Sequence, residues 1–236
     1  MANYPQENGL IISMLKLDLH LHSEYSDDAA GTPKEILSVV KKRGLNGVAF
    51  TDHNTVEGGL KARKIAPKDI IVIPAVEIST KDGHLLAFNV TTAFHKGLSV
   101  EETVDKILDV GGIPVVPHLF RNMSGIKKDK LLPIIDKIPA IEIFNGCSLP
   151  STNLKTAKIA QEFQLGGTGG SDSHHPEYAG TSYTTVDTTD LHIDTILSEI
   201  AKKKTWGAGK TMPLSYRQDR MQLSLKQFFK RGLKRI

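Results

Sequence analysis

The regular alternation of short apolar runs with stretches of helical spacing is the strongest constraint on the fold of this chain. Runs rich in β-branched residues lie at 17–21, 47–51, 70–74, 84–90, 113–117, 140–144, 165–170 and 182–186. Between most of them, at 56–66, 100–110, 128–136, 151–163 and 191–203, apolar residues recur with the helical period. This order is typical of an α/β fold with a mainly parallel sheet, either a barrel or a doubly wound sheet.

The clearest helix start follows the first apolar run. Thr32 has the features of an N-cap, Pro33 suits the first helical position, and Glu35 lies just inside the helix. Gly44 is a typical helix end. The sequence therefore predicts a helix between the first two strands.

The composition fits one globular domain of ordinary size, although two small domains are also compatible with it. The chain has 236 residues, of which 39% are hydrophobic and 24% charged. The single cysteine, Cys147, excludes an internal disulfide and a thiolate zinc cluster. The first fifteen residues lack a positive n-region, and no apolar run approaches the roughly 20 residues of a membrane span. We expect a cytoplasmic protein without a membrane span.

The net charge of +4 is distributed unevenly along the chain. Residues 201–236 hold eleven Lys or Arg and one acidic residue, whereas residues 1–200 have a net charge of −6. This contrast suggests that the basic segment contacts a polyanion, although a solvated surface would have the same composition. The alternation stops near residues 207–209, so we predict a barrel or sheet domain at 1–209 and a basic amphipathic tail at 210–236 that packs on it. The apolar stripe of the tail consists of Met221, Leu225, Phe228, Phe229 and Leu233.

The first apolar run contains two histidines one residue apart. Residues two apart on a strand point to the same face, so Asp18, His20 and His22 lie together while the intervening leucines face the other side. Two neighbouring imidazoles can bind one cation. The pair alone is a weak signal, because histidines are common in surface strands.

More imidazoles and carboxylates lie at or just past the ends of later apolar runs. These residues are His53, Glu77, His118, Asp172 and His174. The carboxyl ends of parallel strands meet at one edge, where α/β folds place their active sites, so we expect these side chains to surround one site. Imidazole and carboxylate ligands without thiolate suit zinc, manganese or iron. Asp18 and Asp52 are candidates to accept the second N–H of a ligating histidine.

Five short motifs follow one another from Asp18 to His174. They are DLHLHSEYSDD, TDHNT, the segment from Glu77 to His84, PHLFR and GGSDSHH. Together they resemble the motifs of the polymerase and histidinol phosphatase (PHP) family of metal-dependent phosphoesterases. The resemblance implies a distorted (β/α)7 TIM-like barrel with two or three divalent metal ions at the C-terminal ends of its strands.

The resemblance also implies a set of metal ligands. One ion would be held by His20, His22, Glu77 and Asp172, a second by the bridging Glu77 with His84 and His118, and a third by Asp27, His53 and His174. Three of these assignments have an alternative nearby, which is His95 for His84, Asp28 for Asp27 and His175 for His174.

A site of this kind attracts an anion. Three ligand carboxylates with two or three divalent ions leave a net charge of about +1 to +3, which favours a phosphate ester over a neutral amide. The function expected from the resemblance is hydrolysis of a phosphate ester by a metal-activated hydroxide. The substrate would be a phosphomonoester, such as a nucleotide, a sugar phosphate or histidinol phosphate, or a nucleic-acid end.

Several residues besides the ligands are candidates for a role in the reaction. Arg121 could bind phosphoryl oxygens through its planar guanidinium, unless it is an ordinary surface arginine. The remaining candidates for catalysis are His175, His53 and Asp52. Glu142 and Asn145 end the 140–144 run, where they could face the substrate or support a ligand.

Two other functions stay open at this point. An amidohydrolase-type C–N hydrolase also uses a His-x-His strand and later histidines on a barrel. A non-catalytic binding module could use the metal ions for stability alone. The glycine-rich stretch at 166–170 lacks the Gly-Lys-Ser/Thr ending of a P-loop, so we interpret it as a site of close backbone packing.

Overall fold

The computed structural model describes residues 14–230 and residue 232. The expectations about the first thirteen residues, about the side chain of Phe228 and about Arg231, Leu233, Lys234 and Arg235 of the basic tail fall outside the described part of the chain. None of the helices in the described part of the chain has the length and hydropathy needed to cross a membrane.

Nine strands of the described residues form one mixed sheet. They are β1 (Leu15–Leu21), β2 (Gly47–Phe50), β3 (Ile71–Thr80), β4 (Gly83–Phe88), β5 (Ile113–Val116), β6 (Ala140–Asn145), β7 (Gly166–Gly170), β8 (Ser182–Val186) and β9 (Thr205–Gly209). The strand order is β7-β6-β5-β4-β3-β2-β1-β8-β9. The sheet curls into a nearly closed barrel, which confirms the expected TIM-like α/β architecture.

Helices connect most of these strands. They are α1 (Pro33–Lys42), α2 (Glu57–Ile65), α3 (Val100–Asp109), α4 (Lys128–Leu131), α5 (Pro150–Glu162), α6 (Ile193–Ala201) and α7 (Leu214–Lys230). The start of α1 follows the sequence prediction, since Thr32 and Glu35 form a reciprocal capping box and Pro33 occupies the first turn. Helix α3 begins with the same arrangement of Ser99 and Glu102.

The barrel differs from a purely parallel one at β4 and at the β8–β9 hairpin. β4 pairs antiparallel with both β3 and β5, because β3 turns directly into β4 through a short connection without a helix. β8 pairs antiparallel with β1 and with β9. The sequence analysis placed a domain boundary at 207–209 and missed β9, because this strand contains two glycines and only one large apolar side chain, Trp206.

Both faces of the barrel strands are buried. Leu17 and Leu19 of β1 pack with Ile73 and Phe88 and with Ile196 of α6 in one apolar cluster. A second cluster joins β1 and β2 to helices α1 and α2. With the strands held on both sides, the side chains at their carboxyl ends have fixed positions.

The barrel closes where the end of β1 meets the segment after β7. The backbone N–H of Asp172 donates to the carbonyl of His20 at 2.6 Å, and the N–H of His22 donates to the carbonyl of Ser173 at 2.9 Å. Gly170 lies directly against His20 at this junction. Absence of a side chain on Gly170 therefore allows β1 and β7 to approach each other.

Replacing Gly170 with alanine tests this closure. A Cβ at Gly170 would lie 2.3 Å from the Cβ of His20, so the two strands would have to separate. We expect Gly170→Ala to lower the free energy of unfolding by about 1–3 kcal/mol. Urea denaturation of the purified protein measures this change.

Gly59→Ala is the matched control. Gly59 lies in α2, and an added Cβ would meet its nearest neighbours at 3.6 Å, an ordinary contact. Because alanine has a higher helix propensity than glycine, this variant should gain about 0.5–1 kcal/mol. Equal stability of the two variants would contradict the proposed role of Gly170.

Candidate metal centre

Imidazoles and carboxylates from six parts of the chain meet at the carboxyl-terminal edge of the barrel. Four groups of three side chains each bring one ligand atom per residue within 4.8 Å of the others. The groups are His22, His53 and His174; His20, His22 and Asp172; His20, Glu77 and His118; and His53, Glu77 and His84. The cluster contains eight of the nine sequence-predicted ligands, and the exception is Asp27.

Two imidazoles and two carboxylates lie at separations that fit ligands of one metal ion. Nε2 of His20 lies 3.4 Å from Oε2 of Glu77 and 3.7 Å from Oδ1 of Asp172. Nε2 of His22 lies 3.3 Å and 3.5 Å from the same two oxygens. Four ligands at about 2.1 Å from a tetrahedral ion would be about 3.4 Å apart. The separations therefore fit a central cation better than direct hydrogen bonds.

Unpartnered nitrogens support the same conclusion. Nε2 of His20, His22 and His174 and Nδ1 of His53 are buried without a hydrogen-bond partner. A buried polar atom without a partner costs about 1–3 kcal/mol. A bound cation would satisfy these nitrogens, so the residues fit the metal ions that the resemblance implies.

The carboxylate of Glu77 reaches a second group of imidazoles. Its Oε1 lies 2.8 Å from Nδ1 of His84 and 3.0 Å from Nε2 of His118, whereas Oε2 faces the first group. The geometry selects His84 rather than His95, which is exposed. Glu77 is thus placed to bridge two cations.

A third group contains Asp28 instead of the expected Asp27. Oδ2 of Asp28 lies 3.4 Å from Nε2 of His174 and 3.8 Å from Nε2 of His53, whereas Asp27 is exposed. The chain turns twice after β1, with Ser26 N–H bonded to Ser23 and Ala29 N–H bonded to Ser26. Strand periodicity does not extend through these turns, so it could not decide which aspartate faces the site.

Two of the candidate ligands have strained backbones. His118 has φ +29° and Asp172 has φ +52°, a region that non-glycine residues rarely adopt. The N–H of His118 donates to Oε2 of Glu142 at 2.9 Å, and the N–H of Asp172 bonds to His20 across the barrel junction. These bonds hold both side chains toward the cluster despite the strain.

The group that orients His20 is Glu142. Nδ1–H of His20 donates to Oε1 of Glu142 at 2.9 Å, which leaves Nε2 available for a cation. Asn145 donates to Oε2 of Glu142 at 2.9 Å and to Asp172 at 3.1 Å. Both residues, which the sequence analysis expected to support a ligand or face the substrate, support ligands.

Asp18 and Asp52 bond to other groups than the expected imidazoles. Asp18 accepts N–H bonds from Ser171 at 2.9 Å and Gly180 at 2.7 Å, so it binds two loops together. Asp52 accepts bonds from Ser23 and Ser26 in the turn after β1. Burial raises the pKa of Asp18 to about 6 and also raises the pKa of Asp52. Because Asp52 bonds to the serines of this turn, its position does not support the catalytic role that the sequence suggested for it.

Arg121 and His175 have different surroundings. Nη2 of Arg121 donates to Oδ2 of Asp172 and, at 3.1 Å, to Asn145, while a third of the side chain is exposed. His175 is exposed, and its ring packs edge-on against Tyr216 at a centroid distance of 5.8 Å. The structure brings Arg121 to the cluster and does not bring His175 there.

Protonation of the cluster follows from burial and charge. Burial lowers the pKa of His118 and of His174 to about 4, with further lowering by Arg121 and His22 respectively. Burial also opposes the charged form of His22, but the nearby carboxylates of Asp172 and Glu77 outweigh it and raise the pKa to about 9. His118 and His174 are therefore neutral at pH 7, with lone pairs that can bind a cation.

A cavity of about 690 Å³ lies over the cluster. Its lining includes residues of α7 and six candidate ligands, which are Asp28, His53, Glu77, His84, Asp172 and His174. The volume is in the range of small-molecule sites. Helix α7 is held in place by Tyr216, whose hydroxyl accepts the N–H of His174 at 3.0 Å, and by Arg220, which bonds to Asp28.

The sequence analysis missed the contributions of Ser26, Tyr216 and Arg220. Ser26 Oγ bonds to Asp52 and accepts the N–H of His53 at 2.9 Å. Arg220 lies 192 residues from its partner Asp28. The only local signal for Arg220 was the basic composition of residues 210–236. Composition does not show where the side chain of any single arginine points.

Glu142→Gln tests the orientation of His20. The variant removes the charged acceptor of the His20 N–H, so we expect metal affinity to fall by about 10–100-fold. Titration with Mn²⁺ or Zn²⁺, followed by calorimetry, measures it. Asp27→Asn is the matched control, because Asp27 is exposed. A loss of metal affinity in Asp27→Asn, with none in Glu142→Gln, would contradict the role of Glu142 in orienting His20.

Comparisons with known proteins identify the family. A model of the PHP domain matches residues 18–111, and a model described as PHP-associated matches residues 150–205. An uncharacterized protein of Methanocaldococcus jannaschii is 33% identical over 143 residues, which are 56% of this chain and 82% of that protein. Most candidate ligands lie in the two matched ranges, while His118 lies between them.

Solved structures of lower identity share the fold. A two-domain protein from Bacteroides vulgatus, which contains a predicted PHP-like metal-dependent phosphoesterase, has a TM-score of 0.72 at 16% identity, over 88% of this chain and 70% of that one. Endonuclease Q, in complex with a 27-mer duplex with an abasic lesion at the active site, has a TM-score of 0.64 at 17% identity, over 84% and 60%. The chain belongs to the PHP domain family and has the fold of its metal-dependent phosphoesterases.

Proposed function

We propose that this protein hydrolyses phosphate esters with at least two divalent metal ions. The main support is that His20 and His22 lie at ligand-like distances from Glu77 and Asp172. Glu77 also reaches His84 and His118. When bound, zinc, manganese or iron ions would polarise the phosphoryl group and activate water for attack.

The residues around the ions would orient a phosphate ester. Arg121 contacts the ligand Asp172 and also lines the cavity, so its guanidinium can donate to a phosphoryl oxygen beside the ions. Asn145 holds both Asp172 and the guanidinium of Arg121. An anionic group that enters the cavity would therefore meet a fixed arginine next to the candidate ligands.

His53 is better suited to bind a cation than to donate a proton. It lines the cavity, and burial holds its pKa well below the usual value even though Glu77 opposes this effect. A neutral imidazole has a lone pair for a metal ion and is a poor acid near pH 7. We therefore assign His53 to metal binding and give no acid role to the exposed His175.

The cavity favours a substrate with an apolar organic part. Leu149, Leu214, Met221 and Leu225 form an apolar wall in the lining of the cavity, and each is exposed. A phosphomonoester of a small molecule, such as a nucleotide or a sugar phosphate, would fit with its phosphate at the ions and its organic part against this wall.

A nucleic-acid end is the second candidate substrate. Arg217 and Arg220 of α7 line the same cavity, and basic side chains beside a phosphate site suit a polynucleotide backbone. Endonuclease Q, which shares the fold, binds a DNA duplex at its active site. Oligonucleotide turnover that falls steeply with salt would favour this candidate.

Hydrolysis assays with defined metals test the proposal. Protein stripped of metal and reloaded with Mn²⁺, Zn²⁺ or Fe²⁺ should cleave members of a panel of phosphomonoesters and oligonucleotides. Asp172→Asn should reduce kcat/KM by at least about 100-fold, because it removes a ligand charge. Arg121→Lys should reduce kcat/KM by about 10–100-fold, because lysine cannot reproduce the planar contact.

His95→Ala is the matched control, because His95 is exposed and was the sequence alternative to His84. Its activity should equal that of the unchanged protein. Metal-loaded protein that leaves every ester intact contradicts the proposal. Cleavage of amides would then favour a C–N hydrolase, and loss of the fold on chelation without any hydrolysis would favour a binding module.

A further inference from the structure

Arg220 of α7 is bound to the third group of candidate ligands. Its Nη2 donates to Oδ2 of Asp28 at 2.9 Å, and its Nη1 donates to the carbonyl of Asp28 at 2.9 Å. The side chains of Arg220 and Asp28 are only 14% and 6% exposed, so the ion pair is poorly screened by water.

The guanidinium bonds to the same oxygen that faces the imidazoles. Oδ2 of Asp28 lies 3.4 Å from Nε2 of His174 and 3.8 Å from Nε2 of His53. This oxygen is the atom that would bind a metal ion between the three side chains. Arg220 therefore donates to the same atom that the ion would need.

Asp172 shows the opposite arrangement. Its Oδ1 faces His20 and His22, whereas its Oδ2 accepts the bond from Arg121. An arginine and a metal ion can thus share Asp172 through different oxygens. At Asp28 the same division would need Oδ1, which is buried without a hydrogen-bond partner.

A cation on Oδ1 of Asp28 would still lie close to the guanidinium. The two oxygens of one carboxylate are only about 2 Å apart, so a divalent ion and the arginine would be separated by about 5 Å in a buried site. At Asp172 an ion on Oδ1 also meets two imidazoles, whereas an ion on Oδ1 of Asp28 would face repulsion from the guanidinium on the oxygen away from His174 and His53.

We propose that Arg220 takes the place of a third metal ion, so that the centre holds two divalent ions and one guanidinium. The inference rests on the proposed metal-dependent function. It assigns one ion to each oxygen of Glu77, where His53 also reaches the carboxylate, and leaves Asp28 and His174 without an ion. Helix α7 lies beyond both matched ranges, 18–111 and 150–205, so the family models do not include this arginine.

An arginine in place of the third ion also keeps positive charge beside Asp28 in the cavity. Arg220 lines the cavity together with Arg121, and a guanidinium offers N–H donors to a phosphoryl oxygen. A phosphate ester would then be bound between two metal ions on one side and a fixed arginine on the other.

Metal stoichiometry tests the inference directly. Full-length protein is saturated with Mn²⁺ or Zn²⁺, passed through a desalting column and analysed by native mass spectrometry and elemental analysis. We expect two ions per chain in the unchanged protein and three in Arg220→Gln, with the affinity for the third ion raised at least about tenfold. Arg217→Gln, in the same helix and cavity, is the matched control and should keep two ions.

Asp28→Asn provides a second test that does not depend on the folding of Arg220→Gln. If Asp28 holds no ion in the unchanged protein, Asp28→Asn also retains two. Three ions in the unchanged protein, with two in Asp28→Asn, would overturn the inference. Two ions in both the unchanged protein and a folded Arg220→Gln would overturn it as well.

Failure of the inference can be told apart from failure of the proposed function. Two ions in the unchanged protein and three in Arg220→Gln, without hydrolysis of any ester, would support the inference and contradict the phosphoesterase activity. Ester hydrolysis with three ions in the unchanged protein would support the phosphoesterase activity and contradict the inference. Absence of bound metal under all conditions would overturn both.

Discussion

The buried carboxylate of Glu77 is the group on which the rest of the site depends. Its oxygens lie within 3.4 Å of nitrogens from His20, His22, His53, His84 and His118. A carboxylate removed from water is costly unless positive charge compensates it. Burial raises the pKa of Glu77, but the imidazoles, with His84 first, outweigh burial and hold it well below the usual range. Positive charge must therefore be present at Glu77 in every state of the site, as protons on imidazoles or as bound cations.

This requirement accounts for the main irregularity of the barrel. In a parallel strand, a residue near the start would lie at the edge opposite the site. His84 is the second residue of β4, and it reaches Glu77 because β4 runs antiparallel to β3. The β3–β4 hairpin thus supplies a ligand from the beginning of a strand, while its neighbours supply ligands from their ends.

Sequence patterns predicted those parts of the molecule that depend on local periodicity. The alternation of apolar runs and helical stretches predicted most strands and helices, and the spacing in β1 predicted that His20 and His22 share a face. Orientation beyond the strand ends depends on turns and long-range bonds, which no local pattern encodes. The choice of Asp28 over Asp27 followed from two turns after β1, and the pairing of His20 with Glu142 joins residues 122 positions apart. β9 was missed because Gly207 packs against Thr168 of β7 and Gly209 against Ser182 of β8, where larger side chains would collide.

The basic carboxyl-terminal segment has two kinds of positive charge. Arg217 and Arg220 point into the cavity, where they bond to the carbonyl of Ser148 and to Asp28, whereas Lys226 is exposed. Composition alone treats these charges as equivalent and suggests a surface for a polyanion. The inward arginines instead change the electrostatics of the metal cluster, because they lie in a cavity with limited screening. An anion inside the cavity would therefore meet Arg217 and Arg220, whereas a polyanion on the outer surface of α7 would meet Lys226.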